Sequence, residues 1–334
     1  MIKRVGFACK FAEINKKNEI SSVPGLNTGG TTMAWANRNK RDIVEQKIID
    51  VAKTNILNTH ALIKKVATLP EPLRMLRITS DMLSFYTHQD YTDFWQSNDV
   101  QTSLARWFKP LGDTAREHNV RLSFHPDQFV VLASEREEVV NKSIEEFEYH
   151  VDMARWMGYG LRFQDIKINV HISGRKGPQG IKDVFGRLSP EARNSLTIEN
   201  DEMCWGTDSS LELADTCALV LDIHHHWIRT GEYITPEDDR CKRIIDSWRG
   251  VRPVIHYSVS REDVLVNHNT KVRPNHQLLL ESGHNKQKLR AHSDYFWNDE
   301  VNKWAATFNE DFDIMCESKG KNLASFDFYE RYCK

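Results

Sequence analysis

The stretch Ala218-Leu-Val-Leu-Asp-Ile-His-His-His226 decides how the rest of the chain is read. An uncharged run of Leu and Val suits a strand covered on both faces, as in a parallel sheet flanked by helices. It ends abruptly in Asp222 and three imidazoles, at the carboxyl end of the strand, where parallel α/β proteins keep their chemistry. If that reading holds, other strands should end in the same way.

They do. Strands are predicted over 2–8, 73–78, 121–124, 166–170, 195–198, 254–258 and 313–316, and several run directly into a histidine or a carboxylate. Between them lie segments of helical period. Residues 42–69 place Ile43, Val44, Ile48, Val51, Ala52 and Ile56 on one face; 104–118, 137–157 and 236–248 repeat the pattern. Segments 21–39 and 260–302 read as long loops, the second rich in His, Asn, Lys and Arg. Eight strands joined by helical or long crossovers predict a TIM (β/α)8 barrel, in one domain covering residues 1–334.

Side-chain parity sharpens this. Alternation puts Ile166, Ile168 and Val170 on one face and Lys167 and Asn169 on the other, the face shared with His171. Leu196 and Ile198 likewise oppose Ser195 and Thr197 before Glu199, and Leu122 and Phe124 oppose Arg121 and Ser123 before His125. The terminal His or Glu then points into the barrel mouth.

The strand-end set is His125, His171, Glu199, Asp222 with His225, His256 and Glu317, supplemented from loops by His88 and His292. Imidazoles and carboxylates without thiolates suit Zn2+ or Mn2+, and the set exceeds the needs of one ion. Two or three ions are expected, about 3.5 to 4 Å apart where a carboxylate such as Glu199 bridges them. One strand-end histidine alone is more often a satisfied core residue, but recurrence on successive strands reverses those odds. His224 and His226 read as bystanders, and Asn200 and Asp201 as groups that orient ligands.

Composition narrows the class. A chain of 334 residues, 40% hydrophobic and 28% charged, can bury a large core. Six cysteines without a Cys-x-x-Cys pair suggest neither a disulfide framework nor a thiolate zinc site. The N-terminal apolar run is too short for a signal peptide, so a cytoplasmic or nucleoid location is expected, with no membrane partner. A net charge of −2 makes any nucleic-acid binding depend on a local basic face or on bound cations.

Five separate motifs carry a resemblance. They are His-Pro-x-Gln-aromatic at 125–129, Ile-Glu-Asn-Asp-Glu-x-x-Trp at 198–205, Asp-x-x-His-His at 222–226, Trp-Arg-Gly at 248–250 and Glu-x-Lys-Gly-Lys at 317–321. In order and approximate spacing the chain resembles the UV damage endonucleases of the UvdE family over almost its whole length. The resemblance implies an endonuclease IV-like barrel that nicks double-stranded DNA 5′ to a cyclobutane dimer, a 6-4 photoproduct or an abasic site. It implies a three-metal cluster usually described with Mn2+, with Zn2+, Mg2+ or Co2+ as alternatives. His88, His125, His171, Glu199, Asp222, His225, His256, His292 and Glu317 match the family's ligand positions, with Glu199, Asp222, His225 and Glu317 as the catalytic group. Gln128 and Phe129 match the pair that enters the duplex opposite the lesion.

Phosphate contacts are expected from Arg175, Lys176, Lys271, Arg273, Lys286, Lys288, Arg290, Lys319 and Lys321, and a DNA contact from Phe7, the chain acting as a monomer. Two features depart from the family pattern. Val254 stands where the family carries a lysine that can be carboxylated and join the cluster, and Phe7 and Phe129 replace tyrosines. Two rival readings are a sugar isomerase of the xylose isomerase type and a damage-binding protein that does not cut.

Overall fold

In the computed structural model, which describes residues 2–265 and 267–334, the eight strands close into a parallel barrel. They are β1 (Val5–Ala8), β2 (Met75–Arg77), β3 (Arg121–Phe124), β4 (Lys167–His171), β5 (Leu196–Glu199), β6 (Ala218–Asp222), β7 (Val254–Tyr257) and β8 (Asp313–Cys316). Each pairs with its neighbours in chain order, and β8 pairs with β1 in the register Val5 with Ile314 to Phe7 with Cys316. This is a TIM barrel. Its helical layer includes α1 (Arg41–Ala67), α2 (Asn98–Glu117), α3 (Glu137–Trp156), α4 (Gly177–Phe185), α5 (Ile223–Thr230), α6 (Asp239–Ser247), α7 (Asp299–Thr307) and α8 (Lys321–Phe328).

Alternation along the strands divides the core in two. Outward residues such as Phe7, Leu122, Phe124, Ile168, Ile198, Leu219, Leu221, Ile255 and Ile314 pack beneath the helices in one continuous cluster. Inward residues form a smaller apolar plug of Ala8, Met75, Ala218, Val220, Val254 and Met315, against which Trp248 packs. Gly6 is required beside it, because a Cβ there would lie 2.6 Å from Met75 Cγ. The Trp-Arg-Gly motif thereby finds a structural role: Trp248 donates Nε1–H to the Leu219 carbonyl at 2.7 Å, and Arg249 and Gly250 follow at φ 50° and 88° in a tight left-handed turn.

At the amino-terminal end of the strands, buried Asp313 gathers several partners. Arg121 donates at 2.6 Å, Arg252 at 2.7 Å and the Arg4 backbone N–H at 2.9 Å. One carboxylate thus ties the starts of β1, β3 and β8 to the loop before β7. The other end of the barrel is left to the functional groups.

The structure corrects three local expectations. The segment read as loop from 21 onward begins inside an antiparallel hairpin, Ala12–Ile14 with Ile20–Ser22, and later holds a helical turn, Met33–Ala36. Two three-residue strands carry too little alternation to register as a pattern. Ile43 is 48% exposed, because the inward stripe of α1 runs through Val44, Ile48, Ala52, Asn55, Ile56 and Thr59. Its polar members disguise the direction of the stripe. Asn55 sits there because it receives Gly29 N–H and donates to the Gly29, Asp81 and Met82 carbonyls, clamping the loops that follow β1 and β2. The polar segment 260–302 also contains short helices at His276–Glu281 and Lys286–Leu289.

One internal strut supports the end of β3. Ser80 Oγ lies 3.1 Å from the His125 carbonyl and 2.9 Å from Nε2 of His150, whose Nδ1 donates to the Glu146 carbonyl at 2.8 Å. Burial lowers the His150 pKa to about 4, so the folded state holds the ring neutral. The unfolded chain takes up this proton near pH 6.5 and the folded protein only near pH 4. The stabilisation is therefore complete above pH 6.5 and is lost as pH falls towards 4, on the order of 3 kcal/mol in all. Urea unfolding of His150→Gln should show a shallower loss of stability than the unmutated chain across that window. Equal slopes would remove His150 from the acid response.

Candidate metal centre and nucleic-acid interface

Seven of the nine expected metal-binding side chains converge at the carboxyl ends of β3 to β8. They fall into three sets whose ligand-type atoms lie within 4.8 Å of one another: His125, His171 and Glu199; His125, His256 and Glu317; and Glu199, Asp222 and His225. Glu199 and His125 each belong to two sets, which places them at the centre.

Local structure explains the convergence. Asp222 ends β6 and also begins α5, its Oδ1 accepting the N–H groups of His224 and His225 at 2.8 Å each. That cap turns the chain so that His225 comes back over Asp222, with Nδ1 3.6 Å from both Asp222 Oδ2 and Glu199 Oε1. Asn200 locks the ends of β5 and β6 together by exchanging two hydrogen bonds with the Asp222 backbone, at 3.0 and 2.8 Å. Asp201 lies 3.9 Å from His171 Nδ1 while its other oxygen accepts the Met203 and Cys204 N–H groups. His224 and His226 are turned away and satisfied elsewhere. The first contacts the Leu289 carbonyl at 3.2 Å, the second Thr207 and Glu232 at 2.9 and 3.1 Å.

The electrostatics are those of a crowded, dry site. Burial pushes Asp222 well above the ordinary carboxylate range, with Glu199 and Glu317 adding to the rise. Burial would also raise Glu199, but His256, His171 and His125 hold it well below its usual value. Glu317 is likewise held down against burial, chiefly by Arg77, whose guanidinium bonds it directly. Burial opposes protonation of His225, yet Asp222, Glu199 and Glu202 raise its pKa to about 10.

Whether this donor set fits divalent ions can be judged from atoms left without partners. His171 Nδ1, Glu199 Oε1, Asp222 Oδ2 and His256 Nδ1 are all buried without a hydrogen bond. Each such atom costs about 1–3 kcal/mol unless its lone pair is used. Other partnerless buried atoms, such as Trp95 Nε1 and Asn309 Oδ1, are scattered through the fold, whereas these four belong to residues that meet at the barrel mouth, so the residues fit a cluster of cations.

The other expected residues separate from this group. His88 accepts the Asp90 N–H within its own turn and joins none of the three sets, and His292 Nε2 stands 4.0 Å from Glu317 Oε2. Phe129 is 77% exposed and Gln128 is exposed beside it, immediately after His125 on the same rim. Phe7 is a correction: parity turns it outward from the barrel into the core, edge-on to Phe11 and Phe326, where a DNA contact is closed to it. Several rim cations are already engaged. Lys286 donates to the Arg229 carbonyl at 2.8 Å, Arg290 to Glu202 at 2.9 Å, and Arg273 lies over the Tyr233 ring. Arg175, Lys176, Lys271, Lys288 and Lys319 are exposed, and Lys321 is half-buried behind Glu317.

Four residues at the centre were not chosen by the sequence reading. Arg77 ends β2 and pairs with Glu317. Asn169 bonds Glu199 from β4 and is itself held by Thr197 Oγ1 at 2.8 Å. Glu202 is buried 3.6 Å from His225 Nε2. Lys167 reaches across the lumen to His256, Nζ to Nε2 at 2.7 Å, its pKa lowered by burial to about 7. Inward parity marked Lys167 and Asn169, but neither ends its strand.

A family model described as UV-endonuclease UvdE matches residues 3–333. The chain belongs to this family. A relative from Bacillus thuringiensis subsp. konkukian, named UV DNA damage endonuclease, is 24% identical over 298 residues, covering 86% of this chain and 83% of its own. The crystal structure of SacUVDE superposes with a TM-score of 0.72 at 24% identity, over 98% of this chain and 96% of that one. Endonuclease IV from Thermus thermophilus follows at a TM-score of 0.52 and 14% identity, over 81% and 91%. These two share the barrel of this UvdE member.

Metal loading should register in stability as well as chemistry. Adding Mn2+ to chelator-treated protein, at a hundredfold excess over its dissociation constant, should stabilise the fold by about 2.7 kcal/mol per site. Calorimetric unfolding should show a rise in Tm that Asp222→Ala reduces. An unmoved Tm in the unmutated chain would mean that the partnerless atoms are not ligands.

Proposed function

We propose that this UvdE-family protein is a metal-dependent DNA endonuclease that incises the phosphodiester 5′ to UV photoproducts, abasic sites being a further substrate. The observation that carries this reading is the convergence of His125, His171, Glu199, Asp222, His225, His256 and Glu317, with partnerless buried atoms aimed at one another. Those seven would hold two or three ions, Mn2+ for preference, with His88 and His292 able to join from their loops. When bound, the ions supply Lewis acidity for an in-line displacement at phosphorus.

The chain's own residues do the rest. Gln128 and Phe129 stand free of the rim, where an aromatic wedge can unstack a base step and the amide can occupy the space left behind. Unstacking costs a few kcal/mol, and less at a lesion that already stacks poorly, so selectivity follows from deformability. Lacking a hydroxyl, Phe129 supplies stacking alone. Arg175, Lys176, Lys271, Lys288 and Lys319 would take backbone phosphates, giving orientation without sequence information. Family membership favours this reading over a sugar isomerase.

Incision of UV-irradiated plasmid separates cutting from binding alone. Glu199→Gln should lower Mn2+-dependent incision by about 10^3-fold, roughly 4 kcal/mol in barrier, with an unchanged circular dichroism spectrum. Undiminished incision in that variant would refute a central role for Glu199, and absence of incision by the unmutated, metal-loaded protein would favour a non-cutting damage binder. Gln128→Ala combined with Phe129→Ala should reduce the ratio of damaged to undamaged affinity by about tenfold or more, since a wedge contributes a few kcal/mol. An unaltered ratio would exclude the wedge.

A further inference from the structure

Lys167 is a fully buried lysine on β4 for which incision chemistry gives no role. Its Nζ crosses the lumen to Nε2 of His256 on β7, on the far side of the wall, at 2.7 Å. Among the described residues no other side chain hydrogen-bonds that nitrogen. The inward position two residues earlier on β7 is Val254, buried in the apolar plug with Met75, Trp248 and Met315, so β7 offers its own histidine no polar support. With Nε2 engaged, the ring turns Nδ1 towards Glu199 Oε2 at 3.1 Å and Glu317 Oε1 at 3.2 Å. That Nδ1 is one of four partnerless buried atoms among the expected ligands.

We infer that Lys167 is a positioning residue of the metal centre, its Nζ as a neutral amine accepting the Nε2–H of His256 from the opposite wall, so that the free lone pair of Nδ1 faces the place where His125 and Glu317 would share an ion. This rests on the metal-dependent reading above. A ligating histidine depends on a partner at its second nitrogen to fix the ring, and loss of such a partner costs typically 10–100-fold in metal affinity. Burying an amine is expensive, and an apolar side chain of similar length would fill the same space at lower cost. A purely structural Lys167 would be poor design for stability; one that orients a ligand has a reason to be kept.

Two variants of the full chain test this by Mn2+ titration, counting free ion by electron paramagnetic resonance. In Lys167→Met one class of Mn2+ should weaken about 10–100-fold while the other class holds, and the Tm of the metal-free protein should stay equal or rise. Lys167→Gln, whose amide oxygen can accept the Nε2–H of His256, should retain more of that affinity than Lys167→Met, and serves alone if the methionine variant does not fold. Unchanged affinity in every class, or uniform weakening of all classes with a lower Tm, would overturn the positioning role. No Mn2+ uptake by the unmutated chain would overturn the metal-dependent reading itself.

Discussion

Two buried carboxylates, Glu199 and Asp222, and a third largely enclosed one, Glu317, set the terms for everything else at the mouth of this barrel. Glu199, Asp222 and Glu317 repel in a medium that screens poorly, and each is answered differently. Glu199 is surrounded by imidazoles, Glu317 is bound by Arg77, and Asp222 is left with its pKa raised beneath a His225 whose own is raised to about 10. Such an arrangement holds only on a rigid frame. The closed ladder of β1 to β8 provides it, and the polar strut from Ser80 through His150 fixes the exit of β3.

Much of this frame was legible in the sequence because alternation in a buried strand is a strong signal. Parity alone sends His171, Glu199 and His125 into the mouth, and β3 and β8 lie where they are expected. What escaped was chemistry away from strand ends. Lys167 sits four residues before His171 in an otherwise ordinary strand, and nothing local says that its amine ends beside a histidine on another wall. Arg77 and Glu202 became site residues only when β2 and the loop after β5 closed over Glu317 and His225. Phe7 failed for the opposite reason. Motif position makes it a DNA contact, whereas its parity, read by the same rule as the others, points it into the core.

The rim shows how a chain of net charge −2 can face a polyanion. Part of its basic content is engaged internally, Arg290 by Glu202 and Lys286 by the Arg229 carbonyl. Lys176, Lys271 and Lys288 remain exposed on the loops, and cations bound at the mouth would be the largest local charges.

The seam between β8 and β1 bears on how the molecule is made. A ribosome delivers β1 first and β8 last, yet these two are neighbours, and Asp313, which gathers Arg4, Arg121 and Arg252, arrives with β8. Until then the nascent chain is an open sheet with two bare edges and three arginines lacking their shared carboxylate. Glu317 comes later still, so the centre is completed only once β8 has emerged. Closing the barrel and completing the ligand set are one event, and a chain truncated before β8 would expose sticky strand edges to other proteins while lacking the ligand at 317.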